Sequence, residues 1–165
     1  MIIFDYNIFF LQKYGGISRY FIELCKQMNN NQIDYLIQAT IYQNDYLKKN
    51  ILNKSFNIHL KKYPRFSRKI FGLINKHFLY KSIKRRQVKI FHNTYYGNFV
   101  LDKNIAQIST VYDFTHEIFS KEYDYKKNIK TNAIKNSNHL ICISENTKKD
   151  LIKFYNIKPE NISVV

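Results

Sequence analysis

Two cysteines, two prolines, four glycines and no tryptophan are all that this 165-residue chain contains of those four residue types. Cys25 and Cys142 are too few for a disulfide scaffold or a zinc framework. Each sits in an apolar run, where a thiol reads as a small buried hydrophobe of a reducing compartment. So little glycine and proline excludes a collagen-like or low-complexity chain. No apolar run reaches the roughly 18 residues that a bilayer span requires. Met1-Ile2-Ile3-Phe4 meets Asp5 with no basic leader before it, which is not the pattern of a secretory signal. The expected location is the cytoplasm. Acidic residues are scarce as well, 12 Asp and Glu against 27 Lys and Arg, for a formal charge of +15.

Such a surplus favours an anionic partner, whether nucleic acid, an acidic membrane surface or a phosphorylated substrate. Asn, Ile, Lys, Tyr and Phe are all heavily used and have codons rich in A and T, so base composition accounts for part of the lysine. Apolar residues make up 45% and charged residues 24% of the chain, the balance of one soluble globular domain.

Short apolar runs alternate with longer amphipathic ones, the pattern of an α/β fold. Strands are predicted at 2–5, 35–41, 56–60, 88–91, 105–111, 140–143 and 162–165. Helices are predicted at 17–28, from Ser67 to about Arg86, around 126–135, and over 145–155 behind Ser144 as N-cap. In the first helix Ile17, Tyr20, Phe21, Leu24, Cys25 and Met28 share a face. In the second, Ile70, Phe71, Ile74, Phe78 and Ile83 recur near helical period, and Lys and Arg crowd the remainder. About seven strands joined mostly by helices predict a doubly wound, largely parallel, Rossmann-like sheet over 1–165, with ligands outside the carboxyl ends of its strands.

Those ends hold the candidate site residues. Gly15-Gly16 precedes the first helix; a glycine pair there lets backbone N–H groups approach a phosphate, and it also suits a plain flexible turn. His92-Asn93-Thr94-Tyr95-Tyr96-Gly97-Asn98 follows the fourth strand, with side chains suited to gripping a sugar or simply to a tyrosine-rich surface loop. Tyr112-Asp113-Phe114-Thr115-His116-Glu117 follows the fifth. Asp113 and His116 could act there as charge stabiliser and acid/base, or Asp113 could cap the next helical turn. Ser144 opens a helix whose N-terminus should face the same cleft.

GGISRYFIEL at 15–24, IFHNTYYGNF at 90–99, ISTVYDFTHEIF at 108–119 and HLICISENTKKDLIKFYNI at 139–157, in that order, resemble the N-terminal domain of glycosyltransferase family 4. The resemblance implies half of a GT-B architecture, in which this domain holds the acceptor and a second domain, not seen in these residues, holds the nucleotide-sugar. It implies retaining, metal-independent sugar transfer in polysaccharide or glycolipid synthesis. The nucleotide-sugar is co-substrate, no further cofactor is needed, and the acceptor is a glycan or a lipid-linked glycan. By that likeness Gly15 and Gly16 match the loop near the donor phosphates, and Asp113 matches the Asp of the family's Thr-Val-His-Asp wording. Tyr112 stands where many members have the active-site His, leaving His116 as the nearest substitute. Asn93, Tyr95, Tyr96, Tyr112 and Ser144 would line the acceptor cleft. This chain alone is expected to be inactive.

Lys84, Arg85 and Arg86 at the end of the basic helix are expected to rest against anionic headgroups at the inner face of the membrane; the other reading of the same helix is a core-packed one with a solvated basic face. A basic nucleic-acid-binding α/β module is the alternative reading. Basic residues spread along the chain, with no helix-turn-helix, zinc finger or RNP-like motif, count against it.

Overall fold

A computed structural model describes residues 1–50, 52–119 and 124–165, without the side chains of His116 and of 124–128. It divides into two units, Met1–Thr94 and Tyr95–Val165.

In the first unit, β1 (Ile2–Phe4) lies between two parallel partners, β2 (Tyr35–Ile37) and β5 (Ile90–Asn93), with Ile3 opposite both Leu36 and Phe91. These strands are largely buried on both faces, as strands covered by helices must be. A short helix α1 (Asn7–Leu11) follows β1, where a loop was expected. Its first N–H groups are held by acceptors from elsewhere, the Asp5 carboxylate for Asn7 and the Thr94 hydroxyl for Ile8, which sequence periodicity does not display.

The next helix, α2 (Gly16–Asn30), covers the predicted 17–28, but its buried face is Ser18, Phe21, Ile22 and Cys25. The run YLIQATI, read as one strand, is two. After Ile37 the chain leaves the sheet, buried Gln38 and Thr40 bond each other at 3.1 Å, and β3 (Ile41–Tyr42) pairs in parallel with β4 (Ile58–His59) as a separate ladder. Between them α3 (Asp45–Lys49) forms behind Asn44, whose side chain accepts from the Leu47 N–H.

Helix α4 (Arg68–Arg85) has the predicted extent and a different face. Its buried residues are Asn75, Leu79 and Ile83, whereas Ile70 is exposed. Asn75 behaves as a substitute strand: its Oδ1 accepts from the Ile41 N–H at 2.9 Å and its Nδ2 donates to the Ile41 carbonyl at 2.8 Å.

The second unit is more regular. Parallel strands β6 (Ala106–Val111), β7 (His139–Cys142) and β8 (Ile162–Val164) are ordered as in the sequence, with Val111 opposite Cys142 and Cys142 opposite Val164. Helices α5 (Thr115–Phe119), α6 (Asp124–Lys135) and α7 (Glu145–Tyr155) connect them. Val111, Phe114, Ile134, Leu140, Cys142, Leu151 and Ile162 form the core. Parallel strands alternating with helices in both units give the α/β, Rossmann-like class that the sequence predicts. Among the described residues no helix is long and apolar enough to cross a membrane.

Candidate functional site

In the first unit the chain runs from β1 to β2 on one side and returns to β5 on the other, so the strand order reverses at β1. Ligand sites of open parallel sheets lie at the carboxyl ends beside such a reversal. Asp5 and Asn93-Thr94 end the two strands there. Asp5 is fully buried and accepts three hydrogen bonds: from the Asn7 N–H at 2.6 Å, the Thr94 hydroxyl at 2.6 Å and the Thr94 N–H at 3.2 Å. Burial nevertheless raises its pKa to about 7, against the pull of those donors. One carboxyl group thus ties the start of α1 to the segment leaving β5.

His92 is not a loop residue. Its ring lies in the core 5.3 Å from both the Phe4 and Phe21 rings, and burial lowers its pKa to about 4, so it is neutral at pH 7. Asn93 and Thr94 are buried too, which corrects their reading as parts of an exposed sugar-gripping loop.

Gly15 is the N-cap of α2 and Gly16 its first residue. A side chain at Gly15 would run into Gln12, whereas space around Gly16 is open to 4 Å. The turn is pinned from behind. Asn44, fully buried, donates to the Gln12 carbonyl at 3.0 Å while capping α3, and the Asp45 N–H donates to the Lys13 carbonyl at 3.0 Å. No side chain caps the start of α2, and the first N–H groups of a helix have no partner within it, which is the kind of terminus an anion can meet.

In the second unit Tyr112, Asp113 and Phe114 leave the carboxyl end of β6. The exposed Asp113 accepts from the Thr115 N–H at 3.1 Å, which is the helix-capping role. Beneath it Lys130 of α6 is buried, forming an ion pair with Glu117 at 2.8 Å and donating to the Asp113 carbonyl, both side chains only 8% exposed. The ammonium also lies over the Phe114 ring at 4.0 Å and the Tyr96 ring at 5.3 Å. Cation–π contact and a charge-assisted pair together make a buried lysine tenable. Tyr96 is half-buried, but its hydroxyl is enclosed, and that burial pushes it well above its ordinary pKa. Tyr95 is half-buried and stacks on Tyr112 at 6.4 Å.

The Ser144 hydroxyl accepts from the Thr147 N–H at 3.1 Å as N-cap of α7, and Thr147 reaches the Tyr112 carbonyl at 3.4 Å. Ser144 and Tyr112 therefore belong to one scaffold. The His116 side chain lies outside the described residues. Cys25 and Cys142 are buried thiols, as expected, and burial pushes their pKa values up to about 12 and about 11.

The structure thus gathers Tyr95, Tyr96, Tyr112, Asp113 and Ser144 in one unit and Gly15, Gly16 and Asn93 in the other. Lys84, Arg85 and Arg86 are exposed at the end of α4. Sequence reasoning missed Asp5, Asn44 and Lys130, and placed Glu117 in the candidate segment without a role. An acid directly after an apolar strand was the available signal for Asp5; nothing local marks Asn44 or Lys130, because their partners are distant in sequence.

Comparison with known proteins adds an independent finding. The pattern of glycosyltransferase family 4 matches residues 14–165. The crystal structure of a glycosyltransferase from Rickettsia africae ESF-5 is similar at a TM-score of 0.58 and 18% identity, over 99% of this chain and 42% of that one. At this identity the likeness concerns the fold, and the chain spans less than half the length of that relative. A comparison with curated proteins finds no match.

Proposed function

The chain belongs to glycosyltransferase family 4, and from that premise we propose that it forms the acceptor-side domain of a retaining, metal-independent glycosyltransferase that uses a nucleotide-sugar. In the reaction the bond from the sugar's anomeric carbon to the donor phosphate breaks. A bond to an acceptor hydroxyl oxygen forms on the same face, and the acceptor proton is lost. Two charges need attention: the leaving phosphate gains negative charge and the sugar ring gains positive charge.

The N–H groups at Gly15-Gly16 are the proposed phosphate donors, acting as preorganised dipoles. Asp113 and His116 are the proposed partners of the sugar and of the acceptor proton. Asn93, Tyr95, Tyr96, Tyr112 and Ser144 are assigned to the acceptor side. Tyr95 offers a half-buried ring for the apolar face of a sugar, while Tyr96, Asn93 and Ser144 act by shaping the wall. The observation that carries the reading is the family match across 14–165, joined to an exposed Asp113 at a strand end braced by Lys130 and Glu117.

The test uses residues 1–165 joined to a donor-binding domain and measures sugar release. Asp113→Asn and His116→Ala should each lower turnover about a hundredfold while leaving the unfolding midpoint nearly unchanged. Gly16→Val should impair turnover by blocking close phosphate approach. Near-normal turnover in all three variants refutes the assignment.

A further inference from the structure

The charge of this chain is concentrated, not spread. Residues 46–101 contain 14 Lys and Arg and not one Asp or Glu, and the rest of the chain has 13 basic residues against 12 acidic. Base composition alone would distribute lysine along the whole chain. The concentration sits on the part of the first unit that contains α4, and it corrects the reading of a charge scattered over the surface.

The turn before α4 and the first half of that helix expose large apolar side chains. Phe66, Ile70 and Leu73 are 84%, 60% and 68% exposed. Along the outward face of α4, Ile70, Leu73, His77, Lys81 and Lys84 follow one another at steps of three and four, so an apolar first half gives way to a basic second half. Opposite them Asn75, Leu79 and Ile83 hold the helix to its unit. Apolar residues therefore lie on both faces of α4, one set for the core and one without use in it.

Phe66 is the sharpest case. Its φ of 66° is the left-handed region, where a bulky side chain is strained and glycine or asparagine is the ordinary occupant. The turn that imposes this is closed by the Ser67 N–H and hydroxyl on the Pro64 carbonyl, at 3.2 and 2.8 Å. Tyr63, its ring tilted against that of Phe10 at 4.8 Å, anchors the turn. Phe66 gains no burial in return, and its ring is met by the Arg65 guanidinium at 5.0 Å. Folding gains nothing from phenylalanine at this position.

On the flank of α4 a groove of about 410 Å³ is lined by Phe56, Phe78, Lys81, Arg85 and Arg86, with the Gln38 and Ser82 side chains bonded to each other there. Three cations, two aromatic walls and three uncharged polar side chains, Ser55 among them, form its lining, with no carboxylate among them.

We propose that this surface docks on an anionic phospholipid bilayer, with Phe66, Ile70 and Leu73 entering the headgroup–acyl boundary and the Lys81-Arg85-Arg86 groove taking lipid phosphates. Exposed apolar side chains flanked by Lys and Arg are what an interfacial helix needs. Nucleic acid would use the cations and stack on an aromatic ring, but it has no partner for the branched Ile70 and Leu73. A second copy meeting this face would bring like charges together. The expected Lys84-Arg85-Arg86 contact is thereby extended to the apolar start of the helix, and the proposal does not depend on sugar transfer.

The chain has no tryptophan, so Phe66→Trp supplies a single reporter. Its emission should shift to the blue, and be protected from an aqueous quencher, on phosphatidylcholine–phosphatidylglycerol vesicles and not on phosphatidylcholine alone. Phe66→Gly should keep or raise the unfolding midpoint, because it relieves the left-handed strain, while lowering partition into anionic vesicles several-fold. Reversing Lys81, Arg85 and Arg86 to Glu should lower partition at least about tenfold. Reversing exposed Lys149, Lys153 and Lys158 changes net charge equally and should have less than about a twofold effect. Unshifted Trp emission on anionic vesicles, or equal losses for the two charge reversals, overturns the proposal. So does tighter binding of DNA than of vesicles at the same salt that Phe66→Gly leaves unchanged.

Discussion

Asp5 and His92 leave adjacent parallel strands at the same level, Phe4 being opposite His92, and their titrations oppose each other. Asp5 keeps its proton in the folded chain up to about pH 7, against 3.8 for an ordinary Asp. Its contribution is complete below the lower value and is lost as pH rises through the higher one. His92 is neutral in the fold down to about pH 4, against 6.5 ordinarily, so its contribution is complete above 6.5 and is lost as pH falls towards 4. Each gives a slope of about 1.4 kcal/mol per pH unit, with opposite signs, and between these limits the two offset. Urea unfolding across that window should be nearly flat from this pair in the wild type. It should rise with pH in Asp5→Asn, where only His92 titrates, and fall with pH in His92→Leu. Equal slopes in the three proteins would show that neither group is held in the stated protonation state. The residue scale was the least legible in sequence: a histidine on a strand is chemically the same residue in a cleft or in a core, and only its neighbours decide.

At the scale of elements, the segment from β6 into α5 depends on one lysine of α6. Lys130→Met leaves Glu117 buried without its cation, which should cost about 3 kcal/mol or more of stability. Lys130→Met combined with Glu117→Leu removes both charges and should recover most of that loss, as seen by urea unfolding of the single and double variants. A double variant no more stable than Lys130→Met would mean that the pair is solvated and weak. Element boundaries were readable wherever the signal is local. The range of α7 is the predicted one because Ser144 caps it and its apolar residues keep one period. The face of α4 was not readable, since apolar residues lie on both sides and the stripe Ile70, Phe71, Ile74, Phe78 looks like a core face. The split of YLIQATI was hidden for a related reason: Gln38 and Thr40 alternate with apolar residues as a strand would, but they are buried on each other.

For the whole molecule, residues 1–165 by themselves should not transfer sugar from any donor. Transfer requires phosphate, anomeric carbon and acceptor hydroxyl held together in attack geometry. The few backbone donors at Gly15-Gly16 offer phosphate little grip, and nucleotide-sugar affinity should be near millimolar, about 4 kcal/mol. Calorimetry with a panel of nucleotide-sugars and a release assay check this; submicromolar binding or steady turnover by the isolated chain contradicts it. The charge distribution belongs to the same scale, because a field confined to 46–101 steers one surface where a diffuse one would steer none.

The strand–helix rhythm was enough to predict the α/β class, because it rests on local periodicity, and four motifs in fixed order carried the resemblance to the family, because each is a run of neighbouring residues. The tertiary structure alone decided that His92 and Thr94 are interior, that Asp5 joins two strand ends, that Lys130 braces the Asp113 turn, and that Phe66, Ile70 and Leu73 face outward. Each of these depends on partners or empty space supplied by remote segments. Burial, and with it charge state, is a property of that surrounding rather than of the residue.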